Sequence, residues 1–178
     1  MTTIPAGTFT IDTAHSRIGF AARHAAVARV RGSFDDFTGQ ITIADHFPAS
    51  TASVEIASGS VKTGNADRDA HLTSPDFWHS EQNPTWTFTT TGLEGAGEEF
   101  VLTGDLTING VTKPVDMDVE YNGQAVGPDG VQRLGFSAST AVSRKDYGLT
   151  WNVALEGGGV LVGDKIRIDL DIAAVPAA

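Results

Sequence analysis

The chain has 178 residues, of which 40% are hydrophobic and 19% are charged, a balance typical of one soluble globular domain spanning residues 1–178. It contains no cysteine, which excludes disulfides, thiolate nucleophiles and cysteine-based metal sites. Its formal net charge of −10, carried by scattered acids, opposes binding to nucleic acid or to an anionic membrane surface, so we expect no nucleic-acid partner.

The N-terminal residues carry neither a basic run nor the apolar run of a signal peptide. No stretch of the sequence approaches the roughly 20 apolar residues of a membrane-spanning helix. We therefore expect a cytoplasmic protein without an integral membrane span. A leader removed from the natural protein would leave no trace in this pattern.

Alternation of apolar and polar residues runs through the whole chain. It has the period of two that is typical of strands with one buried face. The clearest segments are 9–11, 18–24, 41–43, 54–56, 86–88, 100–108, 115–121, 134–142 and 166–172. We predict about eight or more antiparallel strands, which must close into a barrel or stack as a sandwich to protect their edges. A barrel is favoured because the sequence offers little helix to cover a sheet.

Glycines punctuate these strands in two ways. Three dipeptides predict tight hairpins, because their residues tolerate positive φ: Asn109-Gly110, Asn122-Gly123 and Asp129-Gly130. Three further glycines predict places where a strongly coiled sheet bends: Gly32, Gly39 and Gly104.

One segment, residues 65–78, interrupts the alternation. Ser74-Pro75-Asp76 predicts a helix start, since serine caps the first turn, proline suits its first position and aspartate suits the positive end of the dipole. Residues 67–72 predict a short helical turn just before it. Such an insertion is expected to cap the barrel or to cover its opening.

The interior of an eight-stranded barrel is just wide enough to be filled by side chains or to hold one small ligand. Here the inward faces mix large residues with small ones. Phe20 and Phe136 are large, whereas Ala22 and Ala138 are small. This mixture leaves room for a cavity, and a fully packed barrel that acts only through protein contacts remains an alternative.

Several motifs occur in the order found in one family. They are Asp12-Thr13-Ala14-His15-Ser16, Gly32-Ser33-Phe34, Arg68-Asp69-Ala70-His71-Leu72, Asp76-Phe77, Gly104-Asp105-Leu106-Thr107-Ile108-Asn109-Gly110, and Gly135-Phe136 through Arg144, Asp146, Tyr147 and Gly148. The chain therefore resembles the YceI-like, or polyisoprenoid-binding, family over essentially its whole length. The resemblance implies an all-β, extended lipocalin-like antiparallel β-barrel. It also implies a bound isoprenoid lipid, such as a polyprenyl pyrophosphate or a quinone tail, and commonly a homodimer.

The candidate ligand-binding residues are mostly aromatic. They are Phe20, His24, Phe34, Phe37, Arg68, His71, Phe77, Trp78, Trp86, Phe88, Leu106 and Phe136. The aromatic residues are also the natural core of any such barrel, and arginines on a surface are often solvated. Arg68 is the best candidate for a charged head group, because it lies on the predicted insertion and makes charge-assisted hydrogen bonds.

The histidines give little support to a metal site. His15, His24 and His71 are the only plausible set, and no two of them have the spacing of ligands on one helix. We expect no metal, no catalytic cofactor and no catalytic residue. The predicted function is non-catalytic binding, carriage or sequestration of a long isoprenoid. The alternative is an enzyme acting on an isoprenoid or quinone lipid through His24, Arg68 and His71.

Overall fold

The computed structural model describes residues 3–178, and every strand pairing in it is antiparallel. The elements in chain order are β1 (Gly7–Ile11), β2 (Arg17–His24), β3 (Ala28–Phe34), β4 (Phe37–Ile43), β5 (Thr51–Ala57), β6 (Val61–Lys62), α1 (Ala66–Thr73), β7 (Thr85–Ala96), β8 (Glu99–Ile108), β9 (Val111–Val126), β10 (Gln132–Ser143) and β11 (Val162–Pro176). Four short 3₁₀ helices join some of them: Thr13–His15, Phe47–Ala49, Ser58–Ser60 and Arg144–Tyr147.

These strands close into an eight-stranded barrel, as the sequence predicts. Three pairs of segments run on through a kink and act as single long strands: β1 with β2, β3 with β4, and β5 with β6. Each long strand pairs with its neighbour in sequence. The barrel closes because β11 pairs with both β1 and β2. The closure protects most strand edges, and the stretches paired on one side only include residues 28–32 of β3 and 90–96 of β7.

The two ends of the barrel differ. One end, here called the helical end, carries the β2–β3 turn, the segment 63–84 with α1, the β8–β9 turn and the segment 144–161. The opposite end carries shorter connections, among them the Phe47–Ala49 3₁₀ helix. The predicted insertion therefore lies at one mouth of the barrel.

Two of the three predicted hairpins are confirmed. Asn109 and Gly110 take φ of 51° and 75° between β8 and β9, and Gly130 takes φ of 77° between β9 and β10. The prediction for Asn122-Gly123 is wrong, because β9 continues through it. Tyr121 pairs with Phe136 and Gly123 with Gly135, so Asn122 is the extra residue of a β-bulge and the positive φ of Gly123 serves that bulge.

The predicted strand glycines lie beneath bulky side chains. A β-carbon at Gly104 would collide with the ring of Phe88, and one at Gly39 would collide with the side chain of Ile11. These glycines therefore let the inward side chains of neighbouring strands lie against backbone.

The predicted helical turn over residues 67–72 is confirmed, because it lies within α1, whereas the predicted helix start at Ser74 is wrong. The side chain of Asn65 caps α1 by accepting from the N–H of Arg68, and the helix ends at Thr73. Ser74 therefore closes the helix instead of starting one: its hydroxyl donates to the carbonyl of His71 at 2.6 Å. In residues 3–178, no helix is long and apolar enough to cross a bilayer.

Candidate functional site: an apolar cavity inside the barrel

A cavity of about 260 Å³ occupies the interior of the barrel. Its wall contains Phe47 and Phe100 near the opposite end, Phe88 and Leu106 in the middle, and Leu72 at the helical end. The cavity therefore runs along much of the barrel. Its wall is overwhelmingly aliphatic and aromatic, because the apolar face of every long strand points inward.

Four aromatic side chains pack together on the wall at the helical end. Trp78 contacts Trp86, Phe34 and Phe20 with ring centroids 4.9, 5.4 and 6.0 Å apart. The edge-to-face geometry of the two indoles is a favourable one for aromatic pairs. Trp78 thereby anchors the segment after α1 onto the strands of the barrel.

A second aromatic cluster joins the two long segments of the helical end. The ring of Trp151 lies 4.7 Å from His71 and 5.2 Å from Phe77, measured between centroids. The Nε2–H of His71 donates to Asp76 at 2.9 Å, and Asn109 donates to the carbonyl of Phe77 at 3.0 Å. Since Phe77 lines the cavity, this cluster covers the mouth at the helical end.

Arg144 is the only charged residue that lines the cavity in the described part of the chain. It is 3% exposed, and its guanidinium donates to the carbonyls of Leu149 at 2.5 Å, Gly163 at 3.0 Å and Val162 at 3.3 Å. Burial lowers the pKa of Arg144, and the charge of Asp164 opposes that shift. These bonds tie the segment 144–161 to the start of β11.

Two polar atoms on cavity-lining residues have no hydrogen-bond partner within residues 3–178. They are the hydroxyl of Tyr147, whose side chain is 2% exposed, and the indole N–H of Trp86, which is 6% exposed. Burial raises the pKa of Tyr147 to about 12, so the hydroxyl is protonated at neutral pH. An unpaired buried polar group costs about 1–3 kcal/mol.

Eight of the twelve predicted ligand-binding residues line the cavity. They are Phe20, Phe34, Phe77, Trp78, Trp86, Phe88, Leu106 and Phe136. Their contact with a ligand remains a prediction, because they also form the core of the barrel.

Four predicted residues do not line the cavity. Phe37 is buried elsewhere in the core, and His24 is exposed at the end of β2 because it pairs with Ala28 beside the hairpin turn. His71 faces Asp76 and Trp151. Arg68 lies outside the wall as well.

Arg68 holds the connection that leads into α1. Its Nε donates to the hydroxyl of Thr63 and its Nη2 to the carbonyl of Thr63, both at 2.8 Å. Asp69 accepts from the N–H of Thr63 at 2.9 Å and from its hydroxyl at 2.5 Å. Arg68 and Asp69 therefore fix Thr63, and within residues 3–178 the Nη1 group of Arg68 makes no hydrogen bond.

The sequence prediction omitted Arg144 and Tyr147 from the site. The inward positions of β10 run through Ala138, Thr140 and Val142, and Arg144 follows at the next position with the same period. This alternation was the sequence signal that could have placed Arg144 in the cavity wall.

The three histidines of the metal hypothesis lie apart. His15 pairs with Asp12 and His71 with Asp76, while His24 lies at the end of β2. Within residues 3–178 there is no group of three or more histidine, cysteine, aspartate or glutamate side chains able to hold a metal ion.

The fold and the cavity define a closed, eight-stranded antiparallel barrel with an apolar interior, the architecture of lipocalin-like proteins. The family described as YceI-like domain matches residues 9–174, and the chain belongs to that family. A UPF0312 protein of Photorhabdus laumondii is 41% identical over 134 residues, which cover 75% of this chain and 70% of the relative.

Solved structures share the fold. The YCEI protein of Campylobacter jejuni is 30% identical, with a TM-score of 0.73 and coverage of 100% of both chains. A polyisoprenoid binding domain from Saccharophagus degradans has the same TM-score at 15% identity, covering 97% of this chain and 100% of that one. At that identity the second likeness shows the fold alone.

Proposed function

We propose that this protein binds a long isoprenoid lipid in the barrel cavity and carries or sequesters it without chemical conversion. One observation carries the proposal: the apolar cavity reaches from Phe100 to Leu72, and among residues 3–178 its wall has a single charged residue, Arg144, whose guanidinium nitrogens all have backbone partners. Such a wall suits a hydrocarbon chain and offers little to a polar one.

The energetics favour a long chain. Burying a five-carbon prenyl unit contributes about 4 kcal/mol, at roughly 0.8 kcal/mol for each methylene-sized group. Association costs at least about 4 kcal/mol, and micromolar affinity needs a further net 8 kcal/mol or so. At least about three prenyl units must therefore be buried, which is consistent with a cavity that spans the barrel.

The relatives add support of a limited kind. The Saccharophagus degradans domain is described as polyisoprenoid binding, so at least one protein with this fold is described as binding an isoprenoid. A polyprenyl pyrophosphate and a quinone tail both fit the proposal, since both present an apolar chain to the wall.

The enzyme alternative depended on His24, Arg68 and His71. None of the three lines the cavity, and two of them are engaged in local contacts with Thr63 and Asp76. The geometry therefore favours binding over catalysis as the hypothesis to test first.

We carry forward Arg68 as a head-group contact at the mouth. Arg68→Ala is expected to weaken a polyprenyl pyrophosphate more than the polyprenol of equal chain length, because only the former presents an anion to the guanidinium. Thr63→Val is the matched control: it removes the same hydroxyl contact and keeps the cation. Equal losses for both ligands in Arg68→Ala would assign Arg68 to the support of Thr63 alone.

Native mass spectrometry followed by solvent extraction tests the function directly. A stoichiometric isoprenoid released from the purified protein would establish binding and identify the chain and the head group. The same spectra report whether the protein is the homodimer that the resemblance implies. A ligand-free mass that does not change with added polyprenols or quinones would refute the proposal and favour the packed-barrel alternative.

A further inference from the structure

The β2–β3 hairpin carries a concentration of positive charge in an acidic protein. Residues 17–34 contain four arginines and no acidic residue, although the net charge of the chain is −10. Three of these arginines lie near the hairpin tip at the helical end: Arg23, Arg29 and Arg31. Charge is therefore distributed unevenly over the barrel.

The register places these cations side by side. Arg23 lies directly opposite Arg29, and Arg31 lies opposite Ala21, so all three occupy one face of the hairpin and all three are exposed. None of them forms an ion pair or a side-chain hydrogen bond within residues 3–178. Like charges directly opposite each other destabilise a strand pair. The hairpin thus carries a local cost, and no ion pair among residues 3–178 offsets it.

The hairpin tip is apolar. Ala25 and Ala26 take φ of 51° and 59°, values that asparagine and glycine adopt at lower cost, and Val27 is 83% exposed. The turn at the most exposed point of the hairpin, residues 25–27, therefore contains no polar residue.

A second apolar hairpin adjoins this tip. The N–H of Ala25 donates to the carbonyl of Leu161 at 2.7 Å, which joins the tip to the hairpin 153–161. That hairpin exposes Val153 by 45% and Val160 by 48%. Across residues 22–31 and 153–161 the only acid is Glu156. We call these two segments together the basic rim.

The basic rim is continuous with the cavity. Ala22 and Val162 line the cavity, and Val162 pairs with His24 at the base of the hairpin tip. A surface in contact with the rim therefore lies next to one mouth of the apolar interior.

Acids outnumber basic residues on the far side of the barrel and also in segment 63–84, which holds Asp67, Asp69, Asp76 and Glu81 against one arginine. Strands β8 and β9 contain five acidic residues and one lysine, and they stand across the eight-membered ring from β2 and β3. At physiological ionic strength the Debye length is about 8 Å, so these distant charges are largely screened at the rim. The net charge predicts repulsion from an anionic surface, but the basic rim itself holds three arginines and one acid, so it is expected to attract such a surface.

We infer that the basic rim docks on the surface of an anionic lipid bilayer. Arginines beside exposed valines match such a surface, because the cations attract lipid phosphates while the apolar tips enter the boundary with the acyl chains. Nucleic acid would use the arginines and gain little from Val27 at the tip. Docking of this kind does not depend on what the cavity holds, so it is tested separately from isoprenoid binding.

Flotation with vesicles tests the docking. The purified protein is mixed with vesicles of phosphatidylcholine alone or of equimolar phosphatidylcholine and phosphatidylglycerol, at low and at physiological salt. We expect association with the anionic vesicles only, weakening as salt rises. The double variant Arg23→Gln/Arg29→Gln is expected to reduce the affinity about five-fold for each arginine removed. Lys113→Gln, an exposed cation on β9, is the control and is expected to have little effect.

Two matched valine variants test the contribution of the apolar tip. Val27→Asp is expected to lower vesicle affinity about ten-fold or more, because it removes the inserted side chain and adds a negative charge. Val126→Asp makes the same change at a valine that is 69% exposed at the opposite end, and it is expected to leave binding nearly unchanged. Thermal unfolding checks that the variants are folded.

Three results would overturn the docking. One is the absence of association with anionic vesicles at low salt. Another is an equal loss in Val27→Asp and Val126→Asp, which would attribute the effect to net charge. The third is tight binding to a DNA duplex that depends on the arginines and is insensitive to Val27→Asp, which would assign the surface to nucleic acid.

Discussion

Phe20 and Gly32 face each other across β2 and β3, and a β-carbon added at Gly32 would lie 2.5 Å from Cζ of Phe20. The ring of Phe20 therefore occupies the space that a side chain at position 32 would need. The same ring contacts Phe34 and Trp78 on the cavity wall. The glycine sets the position of an aromatic cluster as well as the path of a strand.

Gly32→Ala is expected to lower the free energy of unfolding by about 1–3 kcal/mol, because the added methyl group overpacks the site. Displacement of Phe20 is also expected to weaken ligand binding. Gly92→Ala is the control, since no atom lies within 4 Å of the added carbon and the φ of Gly92 is not positive. Urea denaturation measures both variants, and equal stability would show that Phe20 moves aside without cost.

Asp12, in the kink between β1 and β2, is expected to make the stability of the fold depend on pH in the acidic range. The carboxylate of Asp12 accepts from Nδ1–H of His15 at 2.8 Å, from the N–H of Ala14 at 3.2 Å and from Arg133 at 3.5 Å. These bonds, led by that from His15, lower the pKa of Asp12 below its ordinary value of 3.8. Ionised Asp12 therefore stabilises the fold above pH 3.8, and this contribution is lost as the pH falls through its lower folded-state pKa.

Asp12→Asn retains the cap geometry and removes the charge. At pH 7 it is expected to reduce the free energy of unfolding by about 1 kcal/mol. The difference from the wild-type protein is expected to shrink as the pH is lowered below 3.8. Denaturation curves at several pH values measure it, with Asp118→Asn on the exposed face of β9 as the control. A difference that stays constant with pH would show that the ionised form of Asp12 has no special role.

Much of the fold could be predicted because its main determinant is local. Alternation along β10 and β11 places Phe136 opposite Ile172 and Ala138 opposite Leu170, and a shift by one residue would expose all four. The barrel, the short helical insertion and eight of the cavity-lining residues follow from this pattern and from the family motifs.

Other features depend on tertiary partners that a local pattern does not contain. The dipeptide Asn122-Gly123 is typical of a hairpin turn, yet Gly123 pairs with Gly135 on the next strand and the dipeptide forms a β-bulge. Serine is a residue type that favours helix N-caps, yet the hydroxyl of Ser74 donates to the carbonyl of His71, three residues earlier in the chain. Arginine is usually a surface residue. Arg144 can be buried because its guanidinium donates to three carbonyls that lie 5 to 19 positions further along the chain.

The unpartnered hydroxyl of Tyr147 can be tested by removing one atom. Tyr147→Phe keeps the packing of the ring and removes a buried polar group that lacks a hydrogen bond. The free energy of unfolding of the ligand-free protein is therefore expected to stay the same or to rise by up to about 1 kcal/mol. Tyr147→Ala, which also removes the ring, is expected to cost about 3–5 kcal/mol.

Urea denaturation of delipidated protein makes this comparison. A clear loss of stability in Tyr147→Phe would mean that the hydroxyl has a partner in solution. Repeating the experiment on lipid-loaded protein separates a partner in the protein from one in the ligand.

Ala138 is the position where the cavity can be filled without adding charge. It lines the cavity in the middle of β10 and pairs with Val119 on one side and Leu170 on the other. Ala138→Trp is expected to place an indole in the space of the prenyl chain and to reduce isoprenoid binding by at least about ten-fold, since each displaced methylene costs about 0.8 kcal/mol. The free energy of unfolding is expected to change little, because the ring enters space that is empty in the ligand-free barrel.

Ala141→Trp is the matched control, since Ala141 lies on the same strand, points outward and is exposed. Lipid occupancy of the two variants by native mass spectrometry, together with their unfolding curves, makes the comparison. Loss of lipid in Ala138→Trp alone, with both proteins folded, would place the chain in the barrel interior. Equal occupancy would mean that the lipid binds on the outer surface, and the cavity would then have to be regarded as a packing defect of the barrel.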